Sequence, residues 1–261
     1  MIRTLWVGLV SLLLTPWYGL PILIRAALGS RRLGQTCGIN PRKWSAGILW
    51  AAGVRVVIEG AENLPPQRPA IMVANHQSWF DVFPLVAYFP RDYRFVAKKE
   101  LESVPIFGPS WQACGHISIN RADLSNAIAA LESAGKVVRE GAPVIIMFPE
   151  GTRSATGQLG DFKKGAFVLA IQAGVPIVPA AILGSNEVMP KGSWRIRSGT
   201  VRIRIGAPIP VAGLTHDDRD ALSRVARGAV ARLKEGAPLQ GPWDSVAELR
   251  GSNRSRTKGG T

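Results

Sequence analysis

The sequence predicts an α/β fold: a mixed, mostly parallel sheet of about seven strands flanked by helices, with an N-terminal membrane-associated helical hairpin. Three observations predict it. Short apolar, β-branched runs recur between Arg55 and Ile205 with helix-length stretches between them. A charge-free stretch of 21 residues, Thr4 to Ile24, meets the length of about 20 residues that a bilayer crossing needs. Finally, the polar residues best suited to chemistry fall directly after apolar runs, where open α/β sheets bind their ligands.

The first element lies between Arg3 and Arg25. Pro16 and Pro21 each remove a helical donor, so a kink or break is expected there. Trp6, Trp17 and Tyr18 suit a headgroup belt, and Arg25, Arg31 and Arg32 form the basic flank expected on the cytoplasmic side. The implied location is the inner membrane, with the following domain on its cytoplasmic face. A second stretch, Pro41 to Val54 with Trp44, Ile48, Leu49 and Trp50, reads as an amphipathic helix at the interface. Residues 1–54 are therefore expected to form a hairpin that spans the membrane or dips into one leaflet.

Residues 55–249 read as one α/β domain. Its predicted strands are Arg55–Glu59, Ala70–Ala74, Arg94–Ala97, His116–Asn120, Val144–Phe148, Ile177–Leu183 and Val201–Ile205. Predicted helices cover Phe80–Tyr88, Leu124–Glu140, Gly165–Ala173 and Asp217–Lys234, the last opened by Asp217 as a cap. Strands of this length separated by helices favour a sheet covered on both faces. The tail, residues 250–261, is rich in Gly, Ser and Arg without apolar anchors, and is expected to be disordered.

Composition narrows the function. Hydrophobic residues make up 46% of the 261, enough for a sizeable core. The net charge of +14 is concentrated at the ends. Residues 1–50 hold six bases and no acid, residues 51–189 hold twelve of each sign, and residues 190–261 hold fourteen bases against six acids. A nucleic-acid enzyme spreads its bases over the main binding face, so nucleic acid is not the expected partner. Basic flanks beside an apolar segment suit an anionic membrane surface. Two cysteines, Cys37 and Cys114, are too few for a disulfide framework, and three scattered histidines offer no metal-ligand spacing.

Three loops carry the chemistry. The first, Asn75-His76-Gln77-Ser78-Trp79-Phe80-Asp81, follows a predicted strand. A helical turn between His76 and Asp81 brings the carboxylate to imidazole Nδ1, fixing the tautomer and leaving Nε2 as a base. No G-x-S-x-G or catalytic cysteine motif supplies an enzyme nucleophile. His76 is thus expected to deprotonate a hydroxyl of the substrate. The second loop is Pro149-Glu150-Gly151-Thr152-Arg153-Ser154. Gly151 permits a sharp turn, Arg153 offers a planar fork for phosphate, and Thr152 adds a hydroxyl. Glu150 is expected to orient Arg153 or bond a substrate hydroxyl. Lys163 and Lys164 precede a predicted helix start and add anion affinity. The third loop, Gly115 to Arg121, ends on a base, as does the run before Lys98 and Lys99. If these strand ends converge, a base sits beside a cationic pocket, which suits a phosphorylated alcohol.

His76-x4-Asp81 resembles the HX4D signature of the glycerolipid acyltransferases of the 1-acyl-sn-glycerol-3-phosphate (lysophosphatidic acid) type. Glu150-Gly151-Thr152-Arg153-Ser154 resembles that family's EGTRS block, and Val175-Pro176-Ile177-Val178-Pro179 its VPIVP block. Gly115–Arg121 is similar to the remaining block, with Ser118 at a position usually Phe and Asn120 at one often acidic. The resemblance implies transfer of a fatty acyl group from acyl-CoA or acyl-carrier protein, as co-substrate, to the sn-2 hydroxyl of lysophosphatidate. No cofactor or metal is implied. His76 would be the general base and Asp81 its orienter; Arg153, Arg121 and Lys98 would hold the phosphate; Glu150, Gly151 and Thr152 would position the substrate. Membrane lipids are the implied surroundings. Rival readings are acylation of another lysolipid, such as lyso-ornithine lipid, a thioester hydrolase, and a non-catalytic basic membrane-binding protein.

Overall fold

The computed structural model describes residues 1–119, 143–241 and 243. The predicted helix Leu124–Glu140, Arg121 and the 250–261 tail lie outside the described residues. Seven strands form one sheet: β1 (Val54–Glu59), β2 (Ala70–Ala74), β3 (Tyr93–Lys98), β4 (Ile117–Ile119), β5 (Val144–Met147), β6 (Ile177–Leu183) and β7 (Gly199–Ile205). Their spatial order is β1-β7-β6-β2-β5-β3-β4. All neighbouring pairs are parallel except β6 with β7. Strands β2 to β6 therefore share one direction and end at one edge, while β1 and β7 run the other way.

Side-chain alternation sorts the central strands into two cores. Met72 and Ala74 of β2 and Ile146 of β5 join one buried cluster. Ile71, Val73 and Ile145, their sequence neighbours, join the other. Because both faces are covered, these strands read as continuous apolar runs, which is why they were predictable.

The helices are α1 (Ile2–Ala27), α2 (Leu33–Ala52), α3 (Val82–Tyr88), α4 (Phe107–Ala113), α5 (Gly165–Ala173), α6 (Ser185–Val188) and α7 (Arg219–Lys234). Helices α5 and α7 cover one face with Phe167, Ala170, Leu222 and Ala226. Helices α2 and α3 cover the other with Ile48, Leu49 and Leu85. The start of α7 differs from the expected Asp217 cap. Thr215 and Asp218 form a capping box around a 3-10 turn, His216–Asp218, that leads into the helix.

The N-terminal pair departs from expectation in two ways. Helix α1 runs unbroken through Pro16 and Pro21. Helix α2 begins at Leu33, earlier than Pro41, and turns its apolar side to the sheet rather than to a membrane. Ile48 and Leu49 are each 1% exposed, while Trp44 packs on Phe83 and Phe107. The outer helix is α1, whose Leu5, Leu12 and Leu13 stand exposed. It is long and apolar enough to cross a membrane. Cys37 of α2 and Cys114 at the end of α4 are joined in a disulfide with Cα atoms 5.4 Å apart. Two cysteines 77 residues apart do not announce that pairing; the fold brings them together and ties the hairpin to the domain.

Candidate active site

The site lies where β2, β3 and β5 end. Asn75, the first residue past β2, bonds Ile182 of the neighbouring strand twice: its Nδ2 donates to the carbonyl at 2.8 Å and its Oδ1 accepts the N–H at 2.7 Å. The side chain thus extends the ladder by one residue and frees the backbone to turn. His76 comes next in an extended loop. Ser78 caps the following turn, with its Oγ accepting the Phe80 N–H at 3.1 Å. A 3-10 turn, Trp79–Asp81, then delivers Asp81 to the start of α3.

His76 Nδ1 and Asp81 Oδ2 are 2.7 Å apart. The same oxygen accepts the N–H groups of Gln77 and Ser78 at 2.7 and 2.8 Å. The second oxygen, Oδ1, accepts the Ser185 hydroxyl. Asp81 is fully buried, and a buried carboxylate requires such donors. Ser185 is itself buried and accepts a bond from Gln77 Nε2 at 3.2 Å. Sequence reading missed it, because a lone serine in Gly184-Ser185-Asn186 carries no motif and reaches Asp81 only through the sheet order.

The imidazole stacks on Phe148, with centroids 4.2 Å apart and planes 18° apart. It lines a groove of about 310 Å³ together with Trp79, Lys98, Phe148, Thr152 and Arg153. Nδ1 is committed to Asp81, so Nε2 is the nitrogen left for a ligand. Arg153 lies over the Trp79 ring, 4.9 Å from its centroid, and both side chains line the groove. Lys98, exposed at the end of β3, lines the same groove. A smaller, mostly apolar cavity between α1, α2 and α4 shares Phe107 and Trp111 with this groove.

Glu150 does something other than expected. Its Oε1 accepts the His76 N–H at 2.7 Å and its Oε2 accepts the Gly160 N–H at 2.9 Å. In return, the Ser154 N–H donates to the His76 carbonyl at 2.7 Å. The EGTRS loop therefore clamps the His76 backbone, and Glu150 bonds neither Arg153 nor the open groove. Gly151, at φ 73, turns the loop back. A side chain there would strike the Lys163 stem at 2.9 Å. Lys164 points away and pairs with Asp220 at 2.9 Å. Arg121 lies outside the described residues, so the convergence seen here comprises His76, Asp81, Lys98, Gly151, Thr152 and Arg153.

The other histidines have different work. His116 is half-buried with its ring against Trp111, the centroids 4.2 Å apart. Burial, with the nearby Arg94 charge added, pushes its pKa down to about 3. Its Nδ1 accepts the Phe95 N–H at 3.1 Å, so the neutral ring carries its proton on Nε2. His216 is exposed beside Arg219. No metal-holding group of three or more His, Cys, Asp or Glu occurs among the described residues.

A paired imidazole and carboxylate, with no serine or cysteine bonded to the ring among the described residues, on a groove lined also by Lys98 and Arg153, suits acyl transfer to a substrate hydroxyl. The comparisons agree with that class. A family model described as Acyltransferase matches residues 55–183. The chain is 40% identical over 190 residues to a 1-acyl-sn-glycerol-3-phosphate acyltransferase of Chlamydomonas reinhardtii, covering 70% of this chain and 55% of that one. It is 35% identical over 189 residues to 1-acyl-sn-glycerol-3-phosphate acyltransferase alpha of Homo sapiens, covering 72% of this chain and 67% of that one. The crystal structure of the 1-acyl-sn-glycerophosphate acyltransferase PlsC from Thermotoga maritima superposes with a TM-score of 0.74 at 29% identity, covering 89% of this chain and 95% of that one. Fold and site together define an acyltransferase domain. The chain belongs to the 1-acyl-sn-glycerol-3-phosphate acyltransferase family. It spans about half the length of three of the algal and plant relatives it matches.

Proposed function

We propose that the protein transfers a fatty acyl group from an acyl thioester to the sn-2 hydroxyl of 1-acyl-sn-glycerol-3-phosphate, giving phosphatidate. The observation that carries this reading is the 2.7 Å contact of His76 Nδ1 with buried Asp81, on a ring that lines the groove. Asp81 holds the proton on Nδ1 and stabilises the imidazolium once it forms. Nε2 takes the proton from the lipid alcohol as its oxygen attacks the thioester carbonyl. The C–S bond then breaks, and the imidazolium returns the proton to the departing thiolate. Such positioned base catalysis contributes roughly 10²–10⁴-fold. Arg153 and Lys98 both line the groove and supply charge for the acceptor phosphate; the motif resemblance adds Arg121, which lies outside the described residues, as a third cation. Thr152 and Gly151 shape the adjoining wall, and Glu150 positions His76 through its backbone.

The donor is acyl-CoA or acyl-carrier protein, used as co-substrate without a cofactor. Membrane attachment through α1 fits a lipid acceptor and product; by the basic residues that follow α1, the domain lies on the cytoplasmic face of the inner membrane. The test is an assay of the purified full chain with oleoyl-CoA or oleoyl-carrier protein against a panel of lysolipids, read by mass spectrometry. Phosphatidate and free thiol should appear together, and only with lysophosphatidate present. Equal thiol release without acceptor would indicate a hydrolase instead, and preferred use of lyso-ornithine lipid would reassign the acceptor.

A further inference from the structure

Between α6 and β7 the chain reads Pro190-Lys191-Gly192-Ser193-Trp194-Arg195-Ile196-Arg197, three bases with no acid. None of these residues belongs to the site. The segment is nevertheless firmly built. A turn closes where the Ser193 N–H donates to the Pro190 carbonyl at 3.1 Å, with Gly192 at φ 83. Ser193 Oγ accepts the Arg195 N–H at 3.1 Å. The Arg197 N–H donates to the Val188 carbonyl at 2.9 Å, and the Ile196 N–H donates to Thr4 Oγ1 of α1 at 3.0 Å. From this braced loop Trp194 projects with 84% of its surface exposed. An indole held out in water by so many bonds invites a cover.

The surroundings identify the cover. The Thr4 contact sets the loop beside the start of α1, where Ile2 is 86% and Leu5 71% exposed. Trp6 there meets Trp50 of α2 edge-on at 6.3 Å, and Trp50 is 73% exposed. The patch is therefore continuous with the uncovered apolar side of α1. Its charge is one-sided, since the stretch from Val188 to His216 contains no acid. Indoles at the edge of an apolar surface, interleaved with cations, match the headgroup layer of an anionic bilayer.

We infer that the Pro190–Arg197 loop is a second membrane contact, seating the Trp194 indole at headgroup depth while Arg195 and Arg197 engage anionic lipid phosphates. The contact has leverage on the site. Met189, just before the loop, accepts the Ser78 hydroxyl at 2.7 Å, and Ser185 of the same segment bonds Asp81. Lipid binding at Trp194 holds the domain by the segment that braces its catalytic pair. The inference rests on the protein working at a membrane, not on which lipid it acylates, and binding is measured without turnover.

The experiment uses the full chain with Trp194→Cys carrying an environment-sensitive fluorophore, labelled without reductant so that the Cys37–Cys114 bridge stays closed. Asp217→Cys, at a 98% exposed side chain on the layer of α7, serves as the control. On floated phosphatidylcholine–phosphatidylglycerol vesicles the probe at 194 should shift to the blue and be quenched by headgroup-labelled lipid, while the probe at 217 stays water-like. In parallel, Arg195→Gln and Arg197→Gln should each weaken retention on anionic vesicles about fivefold. A probe at 194 that remains in water on vesicle-bound protein would overturn the inference. So would arginine variants whose retention is unchanged, or a response equal on vesicles of phosphatidylcholine alone.

Discussion

Glu150 accepts the backbone N–H of His76 at 2.7 Å across a sequence separation of 74 residues. With its other oxygen on Gly160, it makes the EGTRS loop a clamp on the His76 backbone. Glu150→Ala should therefore lower kcat about 10²-fold while leaving the acceptor KM nearly unchanged, the pattern of a mispositioned catalytic group. Glu150→Gln keeps one carbonyl acceptor and should lose less. Steady-state kinetics on both variants decide it: a rise in KM with kcat intact would put Glu150 on the substrate.

Removing the base should be the largest single loss. His76→Ala is expected to lower kcat by roughly 10²–10⁴-fold. Asp81→Asn should approach the same loss, because an amide does not hold the imidazole in the required tautomer. Circular dichroism and vesicle binding should match the parent for His76→Ala, separating chemistry from folding.

Ser185→Ala deletes a hydroxyl donor to the buried Asp81 carboxylate. A buried acceptor left short of one bond costs about 1–3 kcal/mol. Urea titration should show that loss of stability, accompanied by a fall in kcat.

Arg153→Ala should act on binding. The expected result is a rise in KM of about tenfold for lysophosphatidate, with a neutral lysolipid's slow turnover unchanged. Equal losses for both acceptors would remove Arg153 from the phosphate pocket.

Burial holds His116 neutral down to about pH 3, whereas an unfolded histidine titrates near 6.5. Between those values the unfolded chain binds the extra proton. The stabilising contribution is thus complete above about pH 6.5 and drains away as pH falls toward 3, by at most about 1.4 kcal/mol per pH unit. His116→Gln keeps an acceptor for the Phe95 N–H but cannot titrate, so its urea midpoint should vary less between pH 7 and pH 4 than the parent's.

The seven strands were legible as short runs rich in apolar residues, and five of the seven run in one direction, as spaced helices imply. The His76–Asp81 pair was legible because its spacing is local. What was not legible depended on distance through the fold. A carboxylate after a strand looks the same whether it meets a substrate or, as Glu150 does, two backbone N–H groups. Ser185 reaches Asp81 only because β6 lies beside β2. The amphipathic stretch of α2 has an apolar side that suits a sheet as well as a bilayer, and the covering role of α1 decides between them. Asp217 and Asp218 both resemble caps, and only the Thr215 partner selects the second.

Strand β1 pairs with β7, residue 54 against residue 199, and with no other strand among the described residues. Translation proceeds at about 5–20 residues per second, so the first strand to leave the ribosome waits roughly 7–30 s for its partner to be synthesised. During that interval α1 and α2 are already available, and the growing polypeptide holds an open hydrogen-bonding edge next to its most greasy segment. Early capture by lipid would keep neighbouring nascent chains from zipping onto that edge.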